Sequence, residues 1–144
     1  MDRYEEAVLE YITADTYRFA NWQFDLPYQN QEGGSCPDFV VLDYREKSVY
    51  AVEVTMAWNI KGLIEKLVDR KRYWINPIKN HLIGINSQFQ DWEYRVTVFV
   101  REGNDLLIGQ KFKNCADIAV KTIEKISFPY SWTWNGNVPC NPLR

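Results

Sequence analysis

The sequence predicts an α/β fold in which a mixed β-sheet is flanked by helices. Two apolar runs, at residues 37–43 and 49–55, are joined by a short polar turn and have the pattern of a β-hairpin. A third strand is predicted at 94–101, and helices are predicted before the hairpin, between the hairpin and the third strand, and after that strand. This order of elements is typical of an α/β sandwich.

The first predicted element is an amphipathic helix over residues 2–13. Its apolar positions recur at helical spacing: Tyr4, Val8, Tyr11 and Ile12. Residues 14–34 carry spaced aromatic side chains and predict an irregular strand or two. This segment ends in the turn-forming sequence Glu32-Gly33-Gly34-Ser35.

The two strands of the hairpin differ in pattern. The run at 37–43 is apolar almost throughout, as expected for a strand covered on both faces. The run at 49–55 alternates, so that Glu53 lies on the same face as Ala51 and Thr55. An ionised carboxylate is costly to bury unless it is paired or binds a cation. Glu53 is therefore a candidate metal ligand.

Two further helices complete the predicted elements. The first runs over about 59–75, and Pro77 marks a break or kink soon after it. After the strand at 94–101, the sequence predicts a second helix over 114–126, with an asparagine as its N-cap. The remaining tail, 127–144, is rich in proline and aromatic residues.

Length and composition limit the classes of protein. The chain of 144 residues predicts a single domain, residues 1–144, and its formal net charge of −2 gives no bulk electrostatic case for nucleic-acid binding. Three scattered cysteines and one histidine lack zinc-ligand or disulfide spacing, which favours a reducing setting. The chain has no apolar run of membrane-span length and no signal-peptide pattern, so we expect a soluble cytoplasmic protein without a membrane partner.

The hairpin resembles that of the PD-(D/E)XK nuclease superfamily, the restriction-endonuclease-like fold. Pro37-Asp38 matches the PD element, and Glu53-Val54-Thr55 falls where (D/E)XK is expected. The resemblance covers about residues 1–101. It implies a restriction-endonuclease-like core in which Asp38 and Glu53 hold one or two Mg²⁺ (or Mn²⁺) ions. Thr55 stands where the family has the lysine that positions or activates the attacking water.

The resemblance also implies a glutamate ligand from the first helix. Glu5 fits this pattern, because apolar or aromatic residues follow it at the third, sixth and seventh positions. Glu6 and Glu10 are competing candidates, and the alternative for all three is a solvated helix face. Asp43 lies where the first hairpin strand enters its turn, which favours a role in the turn over metal binding.

A lysine on the predicted 59–75 helix is a candidate to replace the strand lysine. A helical wheel that starts at Ile60 and advances about 100° per residue places the apolar side chains of this helix in one arc. Lys71 lies near the middle of that arc. Family members with an extra helical motif place a polar side chain from this helix in the site. We therefore expect the Lys71 amine to reach toward Glu53 or Thr55. The alternatives are a snorkelling lysine and a site with weak or lost catalysis.

Basic residues beside aromatic residues are candidates for DNA contacts, because these side chains suit backbone charge and base stacking. The candidates are Arg70, Arg72 and Lys61, with Lys111 and Lys113 as further cations. The alternative is that these charges form the solvated face of a helix.

Three functions fit the sequence. The first is a Mg²⁺-dependent DNA endonuclease that hydrolyses phosphodiester bonds. The second is a catalytically inactive nuclease-like domain that binds nucleic acid or a protein partner, and Thr55 favours it. The third is a small structural or inhibitory interaction protein. A symmetric homodimer is also predicted, because cutting both strands of a duplex needs two sites or two visits, and the tail offers aromatic surface at Tyr130, Trp132 and Trp134.

Overall fold

Five strands form one mixed sheet in the protein, which is represented by a computed structural model that describes residues 1–22, 36–127 and 143–144. The strands are β1 Arg18–Trp22, β2 Phe39–Asp43, β3 Ser48–Thr55, β4 Glu93–Val100 and β5 Ile118–Thr122. They lie in the sheet in chain order. β1, β2 and β3 pair antiparallel, whereas β4 runs parallel to β3 and β5 parallel to β4. The predicted α/β class with a mixed sheet is confirmed.

The described helices are α1 Arg3–Ile12, α2 Lys61–Val68, α3 Asn76–Ile85, α4 Asn104–Lys111 and α5 Ile123–Ser127. A π-helical segment, Lys71–Ile75, precedes α3, and a 3₁₀ turn, Ser87–Asp91, follows it. The α1 helix begins in a capping box: the Asp2 carboxylate accepts hydrogen bonds from the backbone N–H groups of Tyr4 and Glu5, and Glu5 accepts one from Asp2. None of these helices has the length and apolar character needed to cross a bilayer.

Two apolar cores cover the two faces of the sheet, because successive strand residues point to opposite sides. One face packs against α1 and α5 through Phe39, Val41, Tyr50, Val52 and Phe99. The other face packs against α2, α3 and α4 through Val40, Val49, Ala51, Val96, Val98 and Val100. The prediction that the first hairpin strand is covered on both faces is therefore confirmed. Glu53 lies two residues after Ala51 and shares the face covered by α2.

The predicted helix over 59–75 is wrong in its length. The α2 helix ends at Val68, and Asp69 has already left the helical conformation. The chain resumes in the π-helical segment and continues directly into α3, with Pro77 in the first turn of that helix. Proline lacks a backbone N–H, and it stands here just after the π-helical segment, where the hydrogen-bond pattern of the helix changes. Pro77 therefore belongs to the start of a helix.

The predicted helix over 114–126 is also wrong. Residues Ile118–Thr122 form β5, and only Ile123–Ser127 are helical. The helix that connects β4 to β5 is α4, which begins at Asn104. Ile118 and Val120, two residues apart, both pack on the core under α4, as a strand requires.

Asp43 has the turn role that its position predicted. Its Oδ1 accepts hydrogen bonds from the backbone N–H groups of Arg45 and Glu46, both at 3.0 Å. Its Oδ2 accepts a hydrogen bond from the buried guanidinium of Arg18 at 3.1 Å. This buried ion pair joins β1 to the end of β2.

Some sequence predictions lie outside the described residues. Within the aromatic segment 14–34, a strand is confirmed at Arg18–Trp22, and the residues from 23 onward fall outside. The tail residues Tyr130, Trp132 and Trp134, on which the predicted dimer contact depends, fall outside as well.

Candidate active site

The hairpin register brings Asp38 and Glu53 together. Phe39 pairs with Val52 in the antiparallel β2–β3 ladder, so the preceding Asp38 lies across from Glu53. Asp38 Oδ2 accepts a hydrogen bond of 2.7 Å from the backbone N–H of Val54. This bond holds the Asp38 carboxylate against β3, beside the residue that the sequence analysis paired with it.

Both carboxyl groups have raised pKa values. Burial raises the pKa of Asp38 to about 6, although the hydrogen bond from Val54 opposes the increase. Burial first, and then the negative charge of Asp38, raise the pKa of Glu53 to about 8. The positive charge of Lys66 acts in the opposite direction and lowers the pKa of Glu53. The site thus holds two desolvated acids of like charge with one cation nearby.

One oxygen of Glu53 is left without a hydrogen bond. Its Oε1 is buried and has no hydrogen-bond partner among the residues that the structure describes. A buried oxygen in this state is costly unless something compensates it. A cation or a bound water at this place would compensate the orphaned oxygen.

Glu5 reaches the same site from α1. A hydrogen bond with Glu5, together with the charge of Glu5, contributes to the raised pKa of Asp38. The Glu5 Oε2 atom also accepts the capping hydrogen bond from the Asp2 N–H at 2.9 Å. Of the three glutamates that competed for this role, Glu5 is half-buried at the site, whereas Glu6 and Glu10 are exposed. The structure therefore brings Glu5 together with the two hairpin carboxylates.

A cavity of about 240 Å³ lies in front of Glu53. It is lined by Glu53, Thr55, Asn59, Gly62, Leu63 and Lys66, among others. Gly62, Leu63 and Lys66 lie at helical spacing on one flank of α2, and Asn59 precedes that helix, so the start of α2 forms the wall opposite β3. The Thr55 hydroxyl accepts a hydrogen bond of 3.2 Å from the Ala57 N–H.

The lysine beside Glu53 is Lys66, and the expectation for Lys71 is not met. Lys71 is exposed at the start of the π-helical segment and is not part of the cavity wall. The expectation assumed one regular helix from Ile60 to Lys71, but α2 ends at Val68, so a constant advance per residue does not hold across this stretch. The sequence signal for Lys66 was its spacing of i+4 from Gly62 and i+7 from Asn59, on a face outside the apolar arc.

The predicted DNA-contacting arginines have partners within the protein. Arg70 donates from Nε and Nη2 to the two carboxylate oxygens of Asp117, at 2.6 and 2.9 Å, and this ion pair joins the end of α2 to the start of β5. Arg72 pairs with Asp69 at 2.5 Å on the surface, and its Cζ lies 4.5 Å from the centroid of the Tyr73 ring. Contacts of these arginines with phosphates stay a prediction.

The donor set fits a hard divalent cation. As the side chains stand, no set of three or more His, Cys, Asp or Glu residues in the described ranges is arranged to hold a metal ion. Mg²⁺ commonly binds through only one or two carboxylates and completes its shell with water and substrate phosphates. Asp38 and Glu53 offer two such carboxylates, and Glu53 Oε1 has no hydrogen-bond partner in the described part of the chain.

Comparison of the chain with models of known protein families, with curated proteins and with solved structures gave no match in any of the three. Membership of the PD-(D/E)XK superfamily accordingly stays a prediction from the hairpin residues.

Proposed function

We propose that this chain is a divalent-metal-dependent endonuclease that hydrolyses phosphodiester bonds in DNA, with Asp38 and Glu53 as the metal ligands. The observation that supports it is the pairing of two buried carboxyl groups, one with an orphaned oxygen, at a cavity that also contains a lysine. When bound, a Mg²⁺ ion supplies positive charge to a phosphate oxygen and lowers the pKa of a water ligand.

The other groups of the site position a metal ligand or supply charge. The Val54 N–H fixes the Asp38 carboxylate, so this ligand is positioned before any substrate arrives. Lys66 places a positive charge across the cavity from β3, where it stabilises negative charge that develops on the phosphate during hydrolysis. Glu5 is an accessory group. Its hydrogen bond with Asp38 and its charge raise the pKa of Asp38, and it contributes a third acidic side chain to the site.

The first test is cleavage of supercoiled plasmid in Mg²⁺, in Mn²⁺ and in EDTA. Wild-type protein is expected to cut only with a divalent ion, and Asp38→Asn and Glu53→Gln are expected to abolish both cleavage and Mg²⁺ binding measured by calorimetry. Glu10→Gln is the matched control, because Glu10 is an exposed carboxylate on α1. Cleavage that persists in EDTA, or in Glu53→Gln, contradicts the proposal.

The second test separates the two lysines. Lys66→Met is expected to lower kcat by about 100- to 1,000-fold while leaving DNA affinity nearly unchanged, because the lost charge acts on the transition state. Lys71→Met is the matched control, since that side chain is exposed and outside the cavity wall. The assignment of Lys66 fails if Lys71→Met removes activity and Lys66→Met does not.

A second candidate function is a nuclease-like domain that binds nucleic acid or a protein partner without cleaving it. The observation that favours it is Thr55, a neutral hydroxyl already hydrogen-bonded to Ala57, at the position of the family lysine. Salt-dependent DNA binding by the wild-type protein, without cleavage in Mg²⁺ or Mn²⁺, would select this function.

A further inference from the structure

A second cleft of about 500 Å³ adjoins the Glu53 cavity. Asn59 and Ile60 line both spaces, so the cleft begins where the candidate active site ends. Its other walls include Trp58 and Lys61 before and at the start of α2, and Lys111 at the end of α4. The cleft therefore lies directly beside the candidate active site.

Trp58 is an exposed aromatic ring on a fixed backbone. The residue is 74% exposed, and the Cζ atom of Arg101 lies 3.7 Å from its ring centroid. The Asn104 amide donates hydrogen bonds to the backbone carbonyls of Ala57 and Trp58, at 3.1 and 3.3 Å. The guanidinium covers one face of the ring, and the high exposure of the residue leaves the other face available.

Among the described residues that line the cleft or lie on the ring, cations outnumber acids. Lys61 and Lys111 line the cleft and Arg101 lies on Trp58, whereas Glu65 is the carboxylate in the cleft wall. Aromatic rings that stack on bases, combined with cations that follow the backbone, are typical of surfaces that bind single-stranded nucleic acid. In an intact duplex the faces of the bases are covered by their neighbours, so stacking on Trp58 requires an unpaired nucleotide.

We propose that this cleft binds an unpaired nucleotide of a DNA strand next to the phosphodiester that enters the Glu53 cavity. The base stacks on the face of Trp58 opposite Arg101, and Lys61 and Lys111 contact the phosphates. This inference rests on the proposed endonuclease function and deepens it, because it specifies DNA with a single-stranded segment as the substrate class.

The test is binding of a fluorescently labelled oligothymidylate of about 12 nucleotides, a length within the usual range of single-strand sites, in EDTA so that no cleavage occurs. Trp58→Ala is expected to weaken binding by about 5- to 150-fold, the range for loss of one stacked base, while Trp58→Phe retains most of the affinity. Ile85→Ala is the matched control, because Ile85 is an exposed apolar side chain on α3. Trp58 is exposed, so melting temperatures of these variants are expected to equal that of the wild type.

A second measurement examines the charges. Lys111→Gln is expected to reduce the slope of log affinity against log salt by about 0.7, the value for one single-strand phosphate contact. Lys113→Gln, which alters an exposed lysine two residues away, is expected to leave the slope unchanged. A blunt duplex of equal length is expected to bind more weakly and with no dependence on Trp58.

Wild-type affinity in Trp58→Ala, or duplex binding as tight as single-strand binding with the same dependence on Trp58, overturns the inference. The outcome also separates the two proposals. Binding that depends on Trp58 in a protein with no metal-dependent cleavage supports the nucleotide site and overturns the nuclease. Metal-dependent cleavage of uninterrupted duplex that Trp58→Ala leaves unchanged overturns the nucleotide site alone.

Discussion

Replacing Glu53 by glutamine tests the electrostatics of the site without any substrate. Burial and the charge of Asp38 raise the pKa of Glu53 from 4.5 to about 8. The folded protein therefore binds this proton more tightly than the unfolded chain does. The resulting contribution to stability is complete below pH 4.5 and is lost as the pH rises through about 8. Glutamine does not ionise, so Glu53→Gln does not lose this contribution.

The size of the effect follows from the two pKa values. The interval from 4.5 to about 8 corresponds to roughly 5 kcal/mol, at about 1.4 kcal/mol for each tenfold change in proton concentration. Burial also raises the pKa of Asp38, from 3.8 to about 6, so ionisation of Asp38 lowers the stability between these two pH values. The Glu53→Gln variant shows this loss as well. The loss specific to Glu53 between pH 6 and 8 is therefore about 3 kcal/mol. Above pH 8 we expect Glu53→Gln to be more stable than the wild type by several kcal/mol.

The assay is urea denaturation followed by tryptophan fluorescence between pH 4.5 and 9 in EDTA. Glu10→Gln is the control, because Glu10 is exposed on α1. At pH 8.5, Mg²⁺ at 100 times its dissociation constant is expected to stabilise the wild type by about 2.7 kcal/mol and the Glu53→Gln variant by much less. If the wild type and Glu53→Gln lose stability in parallel between pH 6 and 8, the carboxylate is not desolvated and the reasoning is refuted.

Three further predictions concern the rest of the molecule. Arg18→Met is expected to lower the free energy of unfolding by about 3–5 kcal/mol in urea, because it leaves Asp43 buried without its cation; the Arg18→Met/Asp43→Asn double variant should recover part of this loss. Arg70→Met is expected to cost about 1–2 kcal/mol of stability through the lost bonds to Asp117; a fall in DNA affinity beyond that loss of stability would assign Arg70 to phosphate binding as well. The predicted homodimer is expected to give twice the chain mass in light scattering at micromolar concentration. A monomeric mass both with and without DNA contradicts the prediction.

The sequence by itself determined the features that depend on neighbouring residues. The alternation around Glu53 and the short turn after Asp43 predicted a hairpin, and an antiparallel hairpin fixes which residues lie across from each other. The pairing of Asp38 with Glu53 followed from that local register. The α1 helix could be predicted for the same reason, since its apolar stripe repeats within a few successive turns.

Tertiary packing decided the elements that the sequence analysis placed wrongly. Residues 116–126 have apolar positions compatible with a helix, but Ile118–Thr122 form a strand because β4 offers them a parallel edge. Just after the break at the end of α2, Arg70 pairs with Asp117, a residue 47 positions away in the chain. The periodicity of one segment carries no information about a partner that far away in the chain. Tertiary packing therefore overrides a weak local preference for a helix or a strand.

The choice of Lys66 over Lys71 has the same origin. A helical wheel gives the face that a regular helix turns to the core, but the cavity lies at the edge of that face, where Lys66 follows Leu63. The raised pKa of Glu53 is also a property of the folded state, because it comes from burial and from the charge of Asp38 just before β2, and the charge of Lys66 on α2 opposes it. The sequence determined which carboxylates meet, because hairpin pairing is local; the fold decided their protonation and their cation, because burial and helix–sheet packing join residues far apart in the chain.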